Sequence, residues 1–187
     1  VGDLRDYRFV EKLFTQFKAM NWNSFRFHVG PAPDLWYDLA DEMGLLIQDE
    51  YSIWYGKGGV KTLDEKITSK QLSVEYEHWM KDRWNHPSIV IWDAQNETVS
   101  KNTGPAYEMV RHLDKSNRPW DNGYSRPTRP TDIIESHPYL LYQYHLKDAK
   151  IPEEGILKKL MGEVRMPYND PNEQDPDEDG KRYENTT

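Results

Sequence analysis

The run IVIWDAQNE, residues 89–97, sets dense apolar and aromatic side chains directly against Asn96 and an ionisable Glu97. A buried strand that ends in a carboxyl group either simply surfaces there or presents the acid to something. The second case is chemistry. A carboxyl group that gives up a proton near neutral pH needs its charged form disfavoured, and an apolar wall, here with Trp92 close by, supplies that. Three other strand-like runs end in polar groups of the same kind: Arg26 and His28 in SFRFH, Asp49 and Glu50 in LLIQDE, and His137 and Tyr139 in DIIESHPY. Each has a structural alternative. Arg26 either holds a second carboxylate ionised or is ion-paired inside the fold. His28, His137 and Tyr139 are either ligand contacts or satisfied structural groups. Asp49 and Glu50 are strand neighbours, so they point to opposite faces.

The elements that must position these groups alternate along the chain. Leu4, Phe9, Val10, Leu13, Phe14, Phe17 and Met20 recur at helical spacing, which predicts an amphipathic helix over 4–20. SFRFHVG alternates like a strand and runs into Gly30 and Pro31; PDLWYDLADEMG is a helix with Pro near its start and Gly44 in the stop position. LLIQDE is a short buried strand, and residues 69–84 form a helix with Ser69 placed to cap it. The strand SIVIWDAQNE, the helix GPAYEMVRHLDKS and the strand candidates RPWDNGY and DIIESHPYLL follow, then a helical patch around 153–162. From Met166 the chain turns to Pro, Asn, Asp and Glu, a polar acidic loop over 166–187. Strand–helix alternation implies βαβ units and a parallel sheet. The polar residues gather at the C-terminal ends of four successive strands, as in a (β/α)8 barrel, rather than at one switch point, as in a doubly wound sheet. Five strands are visible, so residues 1–165 are expected to hold about strands two to six of an incomplete TIM barrel.

Composition narrows the class. The 187 residues are 36% hydrophobic and 30% charged, with a formal net charge of −8, so no basic stripe points to nucleic acid. No apolar run is long enough for a membrane helix, and no signal peptide is recognisable. The absence of cysteine excludes a disulfide scaffold and leaves the compartment open. Seven Trp and twelve Tyr suit either a carbohydrate cleft or a Trp-rich core. The opening at Val1 and the polar end at Thr187 read as a piece of something longer.

NHPSIVIWDAQNE resembles the acid/base signature of glycoside hydrolase family 2, the β-galactosidase, β-glucuronidase and β-mannosidase group. MNWNSFRFHVGPAPDLWYDLADEMGLLIQDE resembles the preceding units of that family, and DIIESHPY its sixth strand. Asn-Glu alone is a weak signal. Asn85-His86-Pro87-Ser88 ahead of Asn96-Glu97, with the upstream blocks in order, is a strong one. Two departures stand out. Arg26-Phe27-His28-Val29-Gly30-Pro31 differs from the Arg-x-Ser-His-x-Pro common in galactosidases, and nothing matches the family's nucleophile, a Glu on strand seven. Glu163 is the nearest imitation but lacks a buried strand before it.

The resemblance implies an exo-acting, retaining β-glycosidase acting on a glycoside or oligosaccharide, with Glu97 as general acid/base. The nucleophile is then expected beyond Thr187, and β-sandwich modules elsewhere in the parent chain. It assigns Asn96 to the sugar's 2-hydroxyl and Glu50 to the pocket. Trp54 and Trp120 are either sugar-stacking platforms or core residues. His86 reads as structural, because it precedes the strand on the side away from the chemistry. Asn96-Glu97-Thr98 is also formally a glycosylation sequon, taken as chance. No cofactor is implied, and no family-type metal histidine follows Glu50. Asp175, Asp177 and Asp179 imitate the opening of a calcium loop, but position twelve is Thr186 rather than Glu, so a solvated acidic loop is expected. A periplasmic or secreted setting is expected over a cytoplasmic one. The alternative is a carbohydrate-binding barrel with the same cleft and no turnover.

Overall fold

The structure, a computed structural model, describes residues 4–54 and 66–134. It contains helix α1 (Tyr7–Ala19), strand β1 (Ser24–Arg26), helix α2 (Asp34–Met43), strand β2 (Leu46–Glu50), helix α3 (Ser69–Arg83), strand β3 (Ile89–Asp93), helix α4 (Thr103–Val110), a 3₁₀ turn (Arg111–Leu113) and strand β4 (Trp120–Asp121). The strands are all parallel and lie in the order β1-β2-β3-β4. Each βα unit therefore sits beside its predecessor with no reversal, the order of a barrel wall rather than of a doubly wound sheet.

Local chemistry sets the boundaries. Helix α1 begins three residues later than Leu4, because Asp6 is its N-cap and accepts a hydrogen bond from the Arg8 N–H at 2.9 Å. Gly44 closes α2 in the left-handed conformation, φ 70°, where a side chain would be strained. The cap of α3 is Thr68 and not Ser69: Thr68 and Gln71 form a reciprocal capping box. Helix α4 is shorter than the predicted run and ends in the 3₁₀ turn, and RPWDNGY contributes only two strand residues. Ile133 bridges Asp121 at the start of the predicted fifth strand. The rest of that strand, the 153–162 patch, Glu163 and the acidic loop lie outside the described residues.

Strand alternation gives the sheet two unlike faces. One packs on the helices: Phe25, Phe27, Ile47, Ile89, Trp92 and Trp120 meet Phe14 of α1, Tyr37 of α2, Tyr76 and Trp79 of α3, and Tyr107 of α4. The other face carries Arg26, Gln48, Glu50, Asp93 and Asp121. Gln48 Nε2 donates to Asp93 Oδ2 at 2.8 Å and to Asp121 Oδ2 at 3.0 Å, tying three strands together on the interior side. Trp120 is fully buried, its ring stacked 4.8 Å from that of Tyr107. It has no face to offer a sugar, so the core alternative holds for it.

Candidate active site

Asp49 and Glu50 separate as the strand geometry requires. Asp49 faces the helices, where Tyr37 Oη donates to Oδ1 at 2.6 Å and Trp79 Nε1 to Oδ2 at 2.8 Å. Burial pushes its carboxyl up to about 6, against the pull of those two donors. Glu50 faces the interior, paired with Arg26 and accepting the Val29 N–H at 2.8 Å. Its carboxyl is raised by burial, with Arg26 and the Val29 N–H pulling the other way. Val29 takes this position at φ 49°, a strained conformation for a β-branched residue.

Arg26 joins these interior groups to the strand-end signature. Its Nε lies 3.0 Å from Asp93 Oδ2, and its Nη2 donates to Asn96 Oδ1 at 2.9 Å. The guanidinium is thus ion-paired inside the fold and also fixes the Asn96 amide, because only the carbonyl oxygen can accept from it. That leaves Asn96 Nδ2 turned away from Arg26, buried and without a hydrogen-bond partner among the described residues. Its backbone N–H donates to Ile53 O at 2.7 Å, in a bridge pairing Asn96 with Trp54 beyond the ends of β2 and β3.

Glu97 follows in the left-handed region, φ 42°, and its carboxyl Oε1 accepts from Tyr124 Oη at 3.0 Å. The apolar wall expected from Trp92 is not there. Trp92 points into the helix layer and donates to Asp114 Oδ2 at 3.1 Å, while Glu97 lies five residues past it and beyond the strand. At the rim, His28 and Trp54 are 59% and 51% exposed with ring centroids 5.9 Å apart, and His28 Nδ1 is 3.7 Å from Glu50 Oε1. The structure therefore collects Arg26, His28, Glu50, Trp54, Asn96 and Glu97 at the C-terminal ends of β1 to β3. His137, Tyr139, Asp175, Asp177 and Asp179 lie outside the described residues. Tyr124 was missed in the sequence, since a lone Tyr after a turn carries no motif.

This face is a carboxyl group next to a buried amide donor with no partner among the described residues, with an exposed indole at the rim. The model of glycosyl hydrolases family 2, TIM barrel domain, matches residues 2–159. The chain belongs to glycoside hydrolase family 2. The family's β-galactosidase from Leuconostoc mesenteroides is 33% identical over 122 residues, 63% of this chain and 12% of that protein. A putative β-glucuronidase from Formosa agariphila is 28% identical over 110 residues, 59% of this chain and 10% of that protein. Among solved structures, the Ruminococcus gnavus β-glucuronidase aligns with a TM-score of 0.50 at 25% identity, over 62% of this chain and 22% of that one. The chain thus spans about an eighth or less of the curated relatives named here. The glycoside hydrolase family 2 barrel accounts for the sheet order: β1 to β4 are consecutive strands of its wall.

Proposed function

We propose that the protein carrying this chain is an exo-acting, retaining β-glycosidase in which Glu97 is the general acid/base. The observation that carries the reading is the pairing of Glu97 with Asn96, whose amide is turned by Arg26 so that its N–H2 group stays uncommitted. A buried donor left open costs stability unless a ligand satisfies it, and a sugar 2-hydroxyl is a suitable acceptor. That bond strengthens as charge develops at the neighbouring anomeric carbon, which lowers the barrier. The attacking carboxylate comes from a residue C-terminal to the described ones, at the 5–5.5 Å or so from Glu97 that retention of configuration requires. Trp54 forms the stacking wall of the site and His28 a hydroxyl contact.

In the first step the second carboxylate attacks the anomeric carbon while Glu97 protonates the departing oxygen. In the second, Glu97 takes a proton from water as that water displaces the enzyme carboxylate. The test is hydrolysis of aryl β-galactosides and β-glucuronides by the full-length protein, with Glu97→Gln beside it. The variant is expected to lose on the order of 10²- to 10⁴-fold on poor leaving groups, and much less on activated ones, with rescue by azide. Near-wild-type hydrolysis of a poor leaving group by Glu97→Gln overturns the assignment. Sugar binding without turnover by the wild type points instead to a carbohydrate-binding barrel.

A further inference from the structure

The geometry assigns Tyr124 as the positioning residue that fixes which oxygen of Glu97 carries the catalytic proton. This rests on Glu97 being the acid/base. Tyr124 is 7% exposed, and its hydroxyl donates to Glu97 Oε1 at 3.0 Å. An oxygen that accepts a phenol proton in this way is not the one bearing the acid proton, so the protonated carboxyl holds its hydrogen on Oε2. As the glycosidic C–O bond breaks, its electron pair goes to the leaving oxygen and the Oε2 proton transfers there. In the reverse role, Oε2 takes the proton of the attacking water. Tyr124 keeps its own proton throughout and never touches the reacting atoms.

The fold builds this contact from the chain after β4. Gly123 has φ 53°, and a Cβ placed on it would fall 2.7 Å from the Gln95 carbonyl oxygen, so the turn presses directly against the segment leading to Glu97. Gln95 Nε2 in turn donates to Asn122 O at 2.8 Å and to Ser125 Oγ at 3.0 Å, and Gly123 N–H donates to Asp121 Oδ1 at 3.0 Å. Residues on both sides of Tyr124 are therefore pinned to the residue two before Glu97. A tyrosine with only a packing role would not need its hydroxyl registered on the carboxylate.

The experiment is a pH–rate comparison of the full-length wild type, Tyr124→Phe and Glu97→Gln, on aryl glycosides of graded leaving-group ability. A hydrogen bond to the charged form favours that form. Tyr124→Phe should therefore shift the basic limb of kcat/KM to higher pH, by roughly half a unit to one unit. It should also lower the rate on poor leaving groups by about tenfold, with KM little changed. Substituting 3-fluorotyrosine at Tyr124, nearly the same in size but a stronger donor, should move the limb the opposite way. If Tyr124→Phe does not fold, this second protein decides alone. An unmoved limb in the folded variants, while Glu97→Gln is inactive on poor leaving groups, overturns the role of Tyr124 and spares Glu97. An active Glu97→Gln overturns both.

Discussion

The two ends of β3 show what a strong sequence signature does and does not mean. At the start, the His86 ring and the Ser88 backbone are tied into the fold, although Ser88 Oγ is buried without a hydrogen-bond partner among the described residues. Asp41 of α2 lies 2.7 Å from the His86 ring Nδ1 and accepts the Ser88 N–H at 2.8 Å. Arg118 donates to the carbonyls of Ile89, Trp84 and His86 at 2.7, 3.1 and 3.2 Å, pairs with Asp114 at 2.9 Å and lies over the Trp92 ring. At the far end the rules are broken locally: a non-glycine residue at positive φ, a buried amide left open and a half-exposed indole. Five strand residues at about 3.3 Å each separate the two ends by roughly 15 Å. The first end ties the strand to its neighbours, and the second is where the proposed chemistry sits. The positive φ of Glu97 falls at the proposed site, where backbone strain can serve a function.

The largest effect that could break this comparison is at Asn96. Asn96→Ala removes the open donor, and kcat/KM of the full-length protein should fall on the order of 10²- to 10³-fold, since hydrogen bonds to the 2-hydroxyl supply several kcal/mol. Stability should change by less than about 1 kcal/mol, because the lost amide was itself half unsatisfied and Arg26 keeps Glu50 and Asp93. Substrates lacking the 2-hydroxyl should respond far less to the substitution. A stability loss with rates intact would make this end structural too.

The fold was legible because hydrophobic period and end signals agree from α1 to β3: apolar residues at helical spacing, Gly44 as a stop, and buried strands with polar ends. Thr68 was missed in favour of Ser69 because both are good caps, and only the reach of Gln71 decides between them. A motif marked Asn96 and Glu97 in the sequence, and the structure places them together at the C-terminal end of β3, as the proposed site requires. The site was not legible where function depends on direction. Trp92 sits close to Glu97 in sequence, but alternation sends its ring to the helices, and Trp120 follows it into the core. Tyr124 arrives from the next unit, and contacts between units leave no trace in local spacing.

An intermediate effect tests the opposite end. Arg118→Met keeps the aliphatic stem over Trp92 but removes the donors to three carbonyls and to Asp114, which is nearly buried. Breaking one partner of a buried pair costs about 3 kcal/mol or more, so chemical denaturation of the full-length protein should show a loss of that size in this domain. The turnover number per folded molecule should stay within about twofold, a figure set by the roughly 15 Å separation of the two ends. A selective fall in kcat with stability intact would mean that the anchoring network reaches Glu97 after all.

The smallest effect concerns the two faces of β2, where Asp49 is a committed carboxyl and Glu50 an interior one. Asp49 titrates near 6 in the fold, against its ordinary 3.8. The folded state therefore holds that proton more tightly than the unfolded chain does. Its contribution to stability is fully present below about pH 4 and declines as pH rises through 6. Between pH 5 and pH 7 the decline amounts to about 1 kcal/mol, from a shift worth roughly 1.4 kcal/mol per unit. Asp49→Asn cannot ionise, so the stability gap between wild type and variant should move by that amount over this range, in the variant's favour at the higher pH. Urea denaturation at the two pH values measures it. A gap that stays constant would mean that the hydrogen bonds from Tyr37 and Trp79 fully offset the burial of Asp49. The helix-facing side of β2 would then hold a carboxylate as readily as the interior side, where Arg26 supplies a full opposite charge.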